Sequence, residues 1–172
     1  MKLLVASDIH GSASWCRALM GRIEAEAPDK VLLLGDLLYH GPRNPLPDGY
    51  DPREVASMLN GIADSLVAVR GNCDSEVDQM ILDFPCLGDY ALICDEACRT
   101  LFATHGHVFG PDNVPPLPAG SFVFSGHTHV KTNETRGALT FANPGSISLP
   151  KDGTHSYGIY ESGAFRTVEM TR

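Results

Sequence analysis

Five short polar motifs follow apolar, strand-like runs in this chain, and their order constrains the fold more than any other feature. The motifs are Asp8-Ile9-His10, Gly35-Asp36, Gly71-Asn72, His105-Gly106-His107 and Gly126-His127-Thr128-His129. A side chain that directly follows a strand points into the crevice above the carboxyl end of that strand, where open α/β sheets place their sites. The order therefore predicts one shared pocket built by five strands, with the residue types of a two-metal hydrolase.

Imidazoles and carboxylates dominate these motifs. The chain has seven histidines, and five of them fall in the motifs: His10, His105, His107, His127 and His129. Imidazole together with carboxylate suits Mn, Fe, Zn or Ni better than Ca or Mg. The carboxylate of Asp36 is the group best able to bridge two cations, and a bridged pair about 3.5 to 4 Å apart can bind phosphate oxygens and activate a water.

Each motif alone has an ordinary explanation. Asp8 and His10 alone would indicate a turn and a surface histidine, and Gly71-Asn72 alone would indicate a turn, because both residues tolerate positive φ. Metal-dependent amidohydrolases also use an H-x-H pair, but they place it at the first strand of a barrel of about 250 residues. Here the first strand ends in Asp8-x-His10 and the chain has 172 residues. The amidohydrolase alternative is therefore excluded.

Length and charge limit the partners. A chain of 172 residues is expected to form one domain, 1–172, that buries a sizeable core. Its 21 acidic and 13 basic residues give a net charge of −8, and no Lys/Arg cluster occurs. Binding to nucleic acid relies on clustered cations, so we expect no nucleic-acid partner. A small anionic substrate stays compatible, because two divalent cations would cancel four charges locally.

The location is predicted to be cytoplasmic. The five cysteines are odd in number and lack framework spacing, which suits reduced thiols. The first apolar run ends at Ser7 and Asp8, too soon for a signal segment or a membrane span. We therefore expect no membrane partner.

The apolar pattern predicts βαβ units followed by hairpins. Strands are expected at 2–7, 31–34 and 65–69, with helices at 12–27 and 51–62 between them. Further strands joined by tight turns are expected at 90–94, 99–103, 121–124, 138–141, 156–160 and 164–170. From these periodicities alone the fold class is α/β with extra hairpins.

The order of motifs resembles the calcineurin-like metallophosphoesterase superfamily, whose pattern is D-x-H, G-D, G-N-H-[DE], H and G-H-x-H. The resemblance extends from Met1 to about Ser148. Within the superfamily, the group of small bacterial YfcE-like phosphodiesterases is indicated by the segments 35–44 (GDLLYHGPRN), 70–78 (RGNCDSEVD) and 143–146 (NPGS). The resemblance implies a four-layer α-β-β-α sandwich, in which two mixed sheets face each other with helices outside.

The resemblance also implies a set of ligands for two divalent transition-metal ions, with Mn²⁺ as the first choice and Zn²⁺, Ni²⁺ or Fe as alternatives. One ion would be held by Asp8, His10, Asp36 and His129, and the other by Asp36, Asn72, His105 and His127. Asp36 would bridge them. The residues expected to carry the chemistry are His10, Asp36, Asn72 and Cys73.

Cys73 departs from the superfamily pattern, because many members have a histidine there that protonates the leaving group. A thiol, with a reference pKa of about 8.5, is a weaker general acid. We therefore expect esters whose leaving group needs little protonation; the alternative is that the thiol only fills a pocket wall. Residues expected to support the ligands or face the substrate are Asp74, His107, His40, Arg43 and Asn44.

These features predict a metal-dependent phosphodiesterase that acts on a small phosphoester by attack of a metal-bridging hydroxide. A phosphomonoesterase with the same dimetal core is an alternative, since loops determine the choice of substrate. A protein-interaction scaffold is another, because a retromer subunit shares the fold of the superfamily. Members of the superfamily often self-associate, so a homo-oligomer is also expected.

Overall fold

The computed structural model describes residues 1–172 as two five-stranded sheets packed face to face, with helices on one side. The helices are α1 (Ala13–Glu26), α2 (Pro52–Asn60) and the one-turn α3 (Glu76–Gln79). The strands are β1 (Lys2–Ala6), β2 (Lys30–Leu33), β3 (Leu66–Ala68), β4 (Tyr90–Cys94), β5 (Thr100–Thr104), β6 (Phe122–Phe124), β7 (Thr132–Arg136), β8 (Leu139–Asn143), β9 (Ser156–Glu161) and β10 (Ala164–Glu169). None of the helices combines the length and apolar character needed to cross a membrane.

Both sheets are mixed. The first has the order β10-β9-β1-β2-β3, in which β1, β2 and β3 run parallel, β9 is antiparallel to β1, and β10 is antiparallel to β9. The second has the order β4-β5-β6-β8-β7, in which β5, β6 and β8 run parallel between two antiparallel edges. The loops that follow the parallel strands of each sheet therefore lie at the same end of that sheet.

Alternation along the strands builds the layers. In β1, Leu3 and Val5 face the second sheet, whereas Leu4 and Ala6 face α1 and α2. In β5, Leu101 and Ala103 complete the core between the sheets. Because successive side chains of a strand point to opposite faces, one apolar strand serves two layers.

The outer face of the second sheet is covered by irregular chain instead of a helix. Phe102, Val123 and Phe141 form a small buried cluster there, and the loop residues Phe109 and Leu117 pack against it. The fold class is confirmed, with this layer contributed by the segment 106–121.

The two main helices begin where the sequence predicts. The side chain of Ser12 accepts the backbone N–H of Trp15 at the start of α1, and Asp51 accepts those of Arg53 and Glu54 at the start of α2. Such caps pair donors that have no partner within the helix. Strand β7 has no predicted counterpart, because its sequence TNETR is polar and four of its five residues are exposed.

Candidate metal centre

Loops from five strands converge at one end of the two sheets. β1 is followed by Asp8 and His10, β2 by Asp36, β3 by Asn72, β5 by His105, and β6 by His127 and His129. Within this set, the ligand atoms of Asp8, His10 and His129 lie within 4.8 Å of one another, as do those of Asp8, Asp36 and His105. The structure thus brings carboxylates and imidazoles from both sheets into one cluster.

The backbone at these positions is unusual. Five of the residues expected as ligands have left-handed φ angles: Asp8 (58°), His10 (49°), Asp36 (54°), His127 (65°) and His129 (60°). Residues other than glycine rarely adopt this region. Such strain persists only where the surrounding structure determines it, and it concentrates at functional sites.

A close approach of two turns fixes Asp36. A Cβ added to Gly71 would lie 2.1 Å from Oδ1 of Asp36, and one added to Gly35 would lie 2.3 Å from the backbone nitrogen of Gly71. No side chain fits at either glycine. The Gly-Asp and Gly-Asn motifs therefore use glycine so that the two turns can touch.

One group of ligand atoms surrounds Asp8. Its Oδ1 lies 3.2 Å from Nε2 of His129 and 3.6 Å from Nε2 of His10, and the two Nε2 atoms are 3.2 Å apart. The other carboxylate oxygen accepts the backbone N–H of His127 at 3.1 Å. Asp8 therefore holds the H-x-H loop with one oxygen and presents the other to the cluster.

Asp36 joins this group to a second one. Its Oδ2 lies 3.6 Å from Nε2 of His10 and 3.5 Å from Nε2 of His105, while Oδ1 accepts the backbone N–H of Cys73. Nε2 of His105 is also 3.1 Å from Oδ1 of Asn72. A single oxygen of Asp36 thus faces ligands from both groups.

Backbone carbonyls orient three of the rings. The Nδ1–H group of His10 donates to the carbonyl of Tyr39. In the same way, His105 donates to the carbonyl of Leu34, and His129 donates to that of Leu149. Because a carbonyl oxygen can only accept, the Nδ1 atom of each ring carries a proton. Nε2 then points at the cluster with the lone pair that a metal requires.

The donor set fits divalent cations. Oδ1 of Asp8 is buried and has no hydrogen-bond partner. In neutral rings, the Nε2 lone pairs of His10 and His129 would face each other at 3.2 Å. These contacts are unfavourable unless positive charge lies between them, and imidazole with carboxylate is the donor set of transition ions.

The protonation behaviour shows the same demand for positive charge. Burial opposes ionisation of Asp8, but the imidazoles of His10 and His129 beside Oδ1 outweigh it and hold the pKa of Asp8 well below its usual range. Burial also lowers the pKa of His105, yet the hydrogen bond to Asp36 and the charge of Asp8 raise it to about 9. The buried carboxylates of Asp8 and Asp36 therefore favour positive charge at His105.

Asp74 supports Asp36 through the backbone. Its carboxylate accepts the N–H groups of Asp36 (2.8 Å), Leu37 (2.8 Å) and Gly71 (2.7 Å). Burial raises the pKa of Asp74 to about 6, against these hydrogen bonds. Asp74 thus ties together the two turns that carry Asp36 and Asn72, and it touches no histidine ring.

Asn143 and Ser146 position the ligand loops, a role that the sequence analysis did not assign to the segment 143–146. Asn143 donates to the carbonyl of Gly126, and Ser146 donates to the carbonyl of Asp8, at 2.8 and 2.9 Å. Both side chains are buried. The turn 143–146 therefore connects the H-x-H loop with the D-x-H loop.

A cavity of about 370 Å³ opens over the cluster. Arg43, Asn44 and Cys73 line it, as the sequence suggested, and Lys151 lines it as well. Arg43 and Lys151 form no ion pair with a carboxylate. The sequence analysis did not predict Lys151, because it belongs to no motif. Lys151 follows the turn 143–146 in the chain, and its backbone N–H donates to the carbonyl of His129.

Two residues expected near the substrate lie outside this lining. The ring of His40 packs between Tyr39 and Tyr50, at centroid distances of 4.9 and 5.1 Å. His107 is exposed, and its ring lies 5.3 Å from that of His105. Partial burial of its imidazole, together with the neighbouring His105 and His127, lowers the pKa of His107. His40 therefore packs against aromatic rings beside the loop, and His107 borders the cluster from the solvent side.

Comparison with known families agrees with this geometry. The calcineurin-like phosphoesterase superfamily domain matches residues 1–163. The chain belongs to this superfamily. The chain is 45% identical to Phosphodiesterase YfcE of Escherichia coli (strain K12) over 171 residues, which cover 99% of this chain and 92% of that protein. The resemblance found in the sequence is thereby confirmed, and the chain is a phosphoesterase of this superfamily.

Solved structures extend the comparison. The structure of Yfce, a phosphoesterase from E. coli, superposes with a TM-score of 0.92 at 42% identity and covers 99% of this chain and 100% of that one. Vps29 from Entamoeba histolytica, solved with zinc, has a TM-score of 0.60 at 18% identity over 98% of both chains. The likeness to Vps29 shows a common fold alone.

Proposed function

We propose that the chain hydrolyses phosphodiester bonds of a small substrate with the help of two divalent cations. One cation would be held by Asp8, His10, Asp36 and His129, and the other by Asp36, Asn72, His105 and His127. The observation that carries this proposal is the position of Oδ2 of Asp36, 3.6 Å from His10 and 3.5 Å from His105. When bound, such a pair of ions supplies Lewis acidity and lowers the pKa of a water molecule.

The chain's own residues bind and orient the substrate. Arg43 and Lys151 contribute positive charge to the wall of the cavity, where the unesterified oxygens of a phosphate can accept hydrogen bonds from them. Asp36 accepts the backbone N–H of Cys73 and donates its own to Asp74, and these two hydrogen bonds fix its carboxylate between the two groups of ligand atoms. We assign Mn²⁺ as the first choice of metal, because imidazole and carboxylate suit it.

Cys73 favours diesters with good leaving groups. Its thiol lies within 4.8 Å of ligand atoms of His10 and Asp36. Burial and the charge of Asp36 raise the pKa of Cys73 to about 12, so the thiol holds its proton tightly. A proton donor with this pKa assists a leaving alkoxide poorly.

The scaffold alternative is not favoured. The relative at 45% identity is named a phosphodiesterase, and a scaffold has no chemical need for seven ligands in one pocket. We place the enzyme in the cytoplasm, because its five cysteines are all free, as they are in reducing compartments. Self-association stays a prediction.

Hydrolysis of bis-p-nitrophenyl phosphate and p-nitrophenyl phosphate, measured in parallel, tests the proposal. We expect faster release from the diester in the presence of Mn²⁺ and none after dialysis against a chelator. Faster release from the monoester would make the chain a phosphomonoesterase, and no release from either ester with metal bound would favour a scaffold.

A further inference from the structure

A second cavity, a groove of about 660 Å³, opens beside the cavity over the metal centre. The two cavities share Arg43 and Cys73 in their linings. The groove continues past them to Tyr39 and Val77, which do not line the first cavity. A molecule with its phosphate at the metal centre can therefore extend a substituent into the groove.

Two exposed apolar side chains line the part of the groove that the first cavity does not share. Tyr39 is 43% exposed and Val77 is 67% exposed, unusually open for large hydrophobic side chains. The carbonyl of Tyr39 accepts Nδ1–H of His10 at 2.9 Å, and its ring packs edge-on against His40. The position of this aromatic ring is thereby fixed relative to a metal ligand.

The charge of the groove disfavours anionic substituents. Arg43, which lines both cavities, is its one cation, and Asp74 and Asp78 also line it. A second phosphate or a carboxylate placed there would meet like charge. An uncharged planar ring would instead find the exposed ring of Tyr39, a surface on which aromatic groups stack.

We propose that this groove binds an uncharged aromatic substituent of the phosphodiester, an aryl group or a nucleobase, against Tyr39 and Val77. This inference rests on the proposed function and names its substrate class. It also gives the proposed diester preference a physical basis, because the single substituent of a monoester is the leaving group, and no second substituent is left to occupy the groove. Stacking on one aromatic side chain corresponds to about tenfold in affinity or more.

Binding of three diesters with equal charge tests the proposal. Dimethyl, methyl cyclohexyl and methyl phenyl phosphate are titrated calorimetrically into the Mn²⁺-loaded protein before detectable hydrolysis. We expect methyl phenyl phosphate to bind about tenfold more tightly than dimethyl phosphate. Equal affinity of these two diesters would overturn the proposal. Equal affinity of the cyclohexyl and phenyl diesters would overturn the aromatic specificity.

Variants locate the effect. Tyr39→Leu keeps the carbonyl that orients His10, and we expect it to reduce the ratio of phenyl to methyl affinity to about one; Tyr39→Phe should keep the ratio. Val77→Ser, at an exposed position where folding is not at risk, should lower it in part. Tyr90→Leu is the matched control, since Tyr90 is 51% exposed but lies on β4, outside the groove. A ratio that Tyr39→Leu and Val77→Ser leave unchanged would contradict the assignment.

The same preparations are assayed with bis-p-nitrophenyl phosphate. If the metal-loaded wild-type protein does not hydrolyse bis-p-nitrophenyl phosphate, the proposed function is refuted. Hydrolysis of the diester without any preference for the phenyl substituent would refute the groove assignment alone.

Discussion

The Nε2 atoms of His10 and His129 face each other across 3.2 Å, while Nδ1–H of each ring donates to a backbone carbonyl. The backbone therefore forces two potential lone pairs together beside the unpartnered Oδ1 of Asp8. The fold keeps this arrangement at a cost in stability, and a bound cation would remove that cost.

Metal ions should stabilise the folded chain. A ligand that binds only the folded state at 100 times its dissociation constant adds about 2.7 kcal/mol to the free energy of unfolding. We expect saturating Mn²⁺ to raise the thermal midpoint measured by circular dichroism, and Asp8→Asn to reduce the shift. A midpoint insensitive to Mn²⁺ in the wild-type chain would contradict the proposed cation site.

Replacing Cys73 by histidine should improve hydrolysis of esters with poor leaving groups. An imidazole can donate a proton near neutral pH, whereas the thiol, with its pKa raised to about 12, cannot do so efficiently. General acid catalysis contributes about 100-fold or more. We expect Cys73→His to raise turnover of a phenyl ester by about this factor and to change p-nitrophenyl esters little. Cys73→Ser serves as the control, and no gain with histidine would mean that position 73 does not face the leaving oxygen.

Lys151 should contribute to substrate binding. It lines the cavity over the metal centre and has no carboxylate partner. A hydrogen bond to a charged group contributes ~1.4 kcal/mol or more, so we expect Lys151→Gln to raise KM for a diester about tenfold. Lys30→Gln, which removes a charge outside this cavity, should leave KM unchanged. An unaltered KM in Lys151→Gln would exclude the contact.

Asp95 should make the stability of the fold depend on pH. The carboxylate accepts hydrogen bonds from the hydroxyl of Tyr160 (2.6 Å) and from the backbone N–H of Arg99 (2.8 Å), and it pairs with the guanidinium of Arg99. Burial would raise the pKa of Asp95, but these partners outweigh it and lower the pKa below the usual 3.8. A depressed carboxylate pKa stabilises the folded state above about pH 4, and that contribution is lost as the pH falls through the lowered value.

We therefore expect Asp95→Asn to lower the free energy of unfolding by ~2 kcal/mol at pH 7. The difference between the two proteins should shrink at pH 3 and below. Urea unfolding followed by fluorescence measures both values. A difference that is independent of pH would mean that the ionised carboxylate is not the stabilising species.

The sequence predicted that the carboxylates and imidazoles of the five motifs lie in one cluster, because these residues directly follow buried strands. Apolar runs such as Leu3 to Ala6 identify their strands, and the polar residue after each run identifies the loop. The same logic could not find β7, since an exposed edge strand needs no apolar alternation. It could not find Lys151 either, because that residue reaches the site through a loop held by the turn 143–146.

The supporting contacts were even less accessible from sequence. Asp74 acts through backbone N–H groups 37 and 38 residues earlier in the chain, and no spacing rule connects these positions. His40 lies in the same loop as Arg43 and Asn44, but its ring packs against Tyr50 and does not line the cavity. Tertiary packing therefore determines which side chains of this loop line the cavity.

The number of Mn²⁺ ions bound per chain, measured by equilibrium dialysis together with diester hydrolysis in each sample, tests the two-metal centre most directly. We predict two ions per wild-type chain, with turnover that requires both, and at least a 100-fold loss of turnover in Asp36→Asn as an order of magnitude for removing the shared ligand. Full hydrolysis by a chain freed of metal, or unchanged binding of two ions by Asp36→Asn, would contradict the bridging role of Asp36.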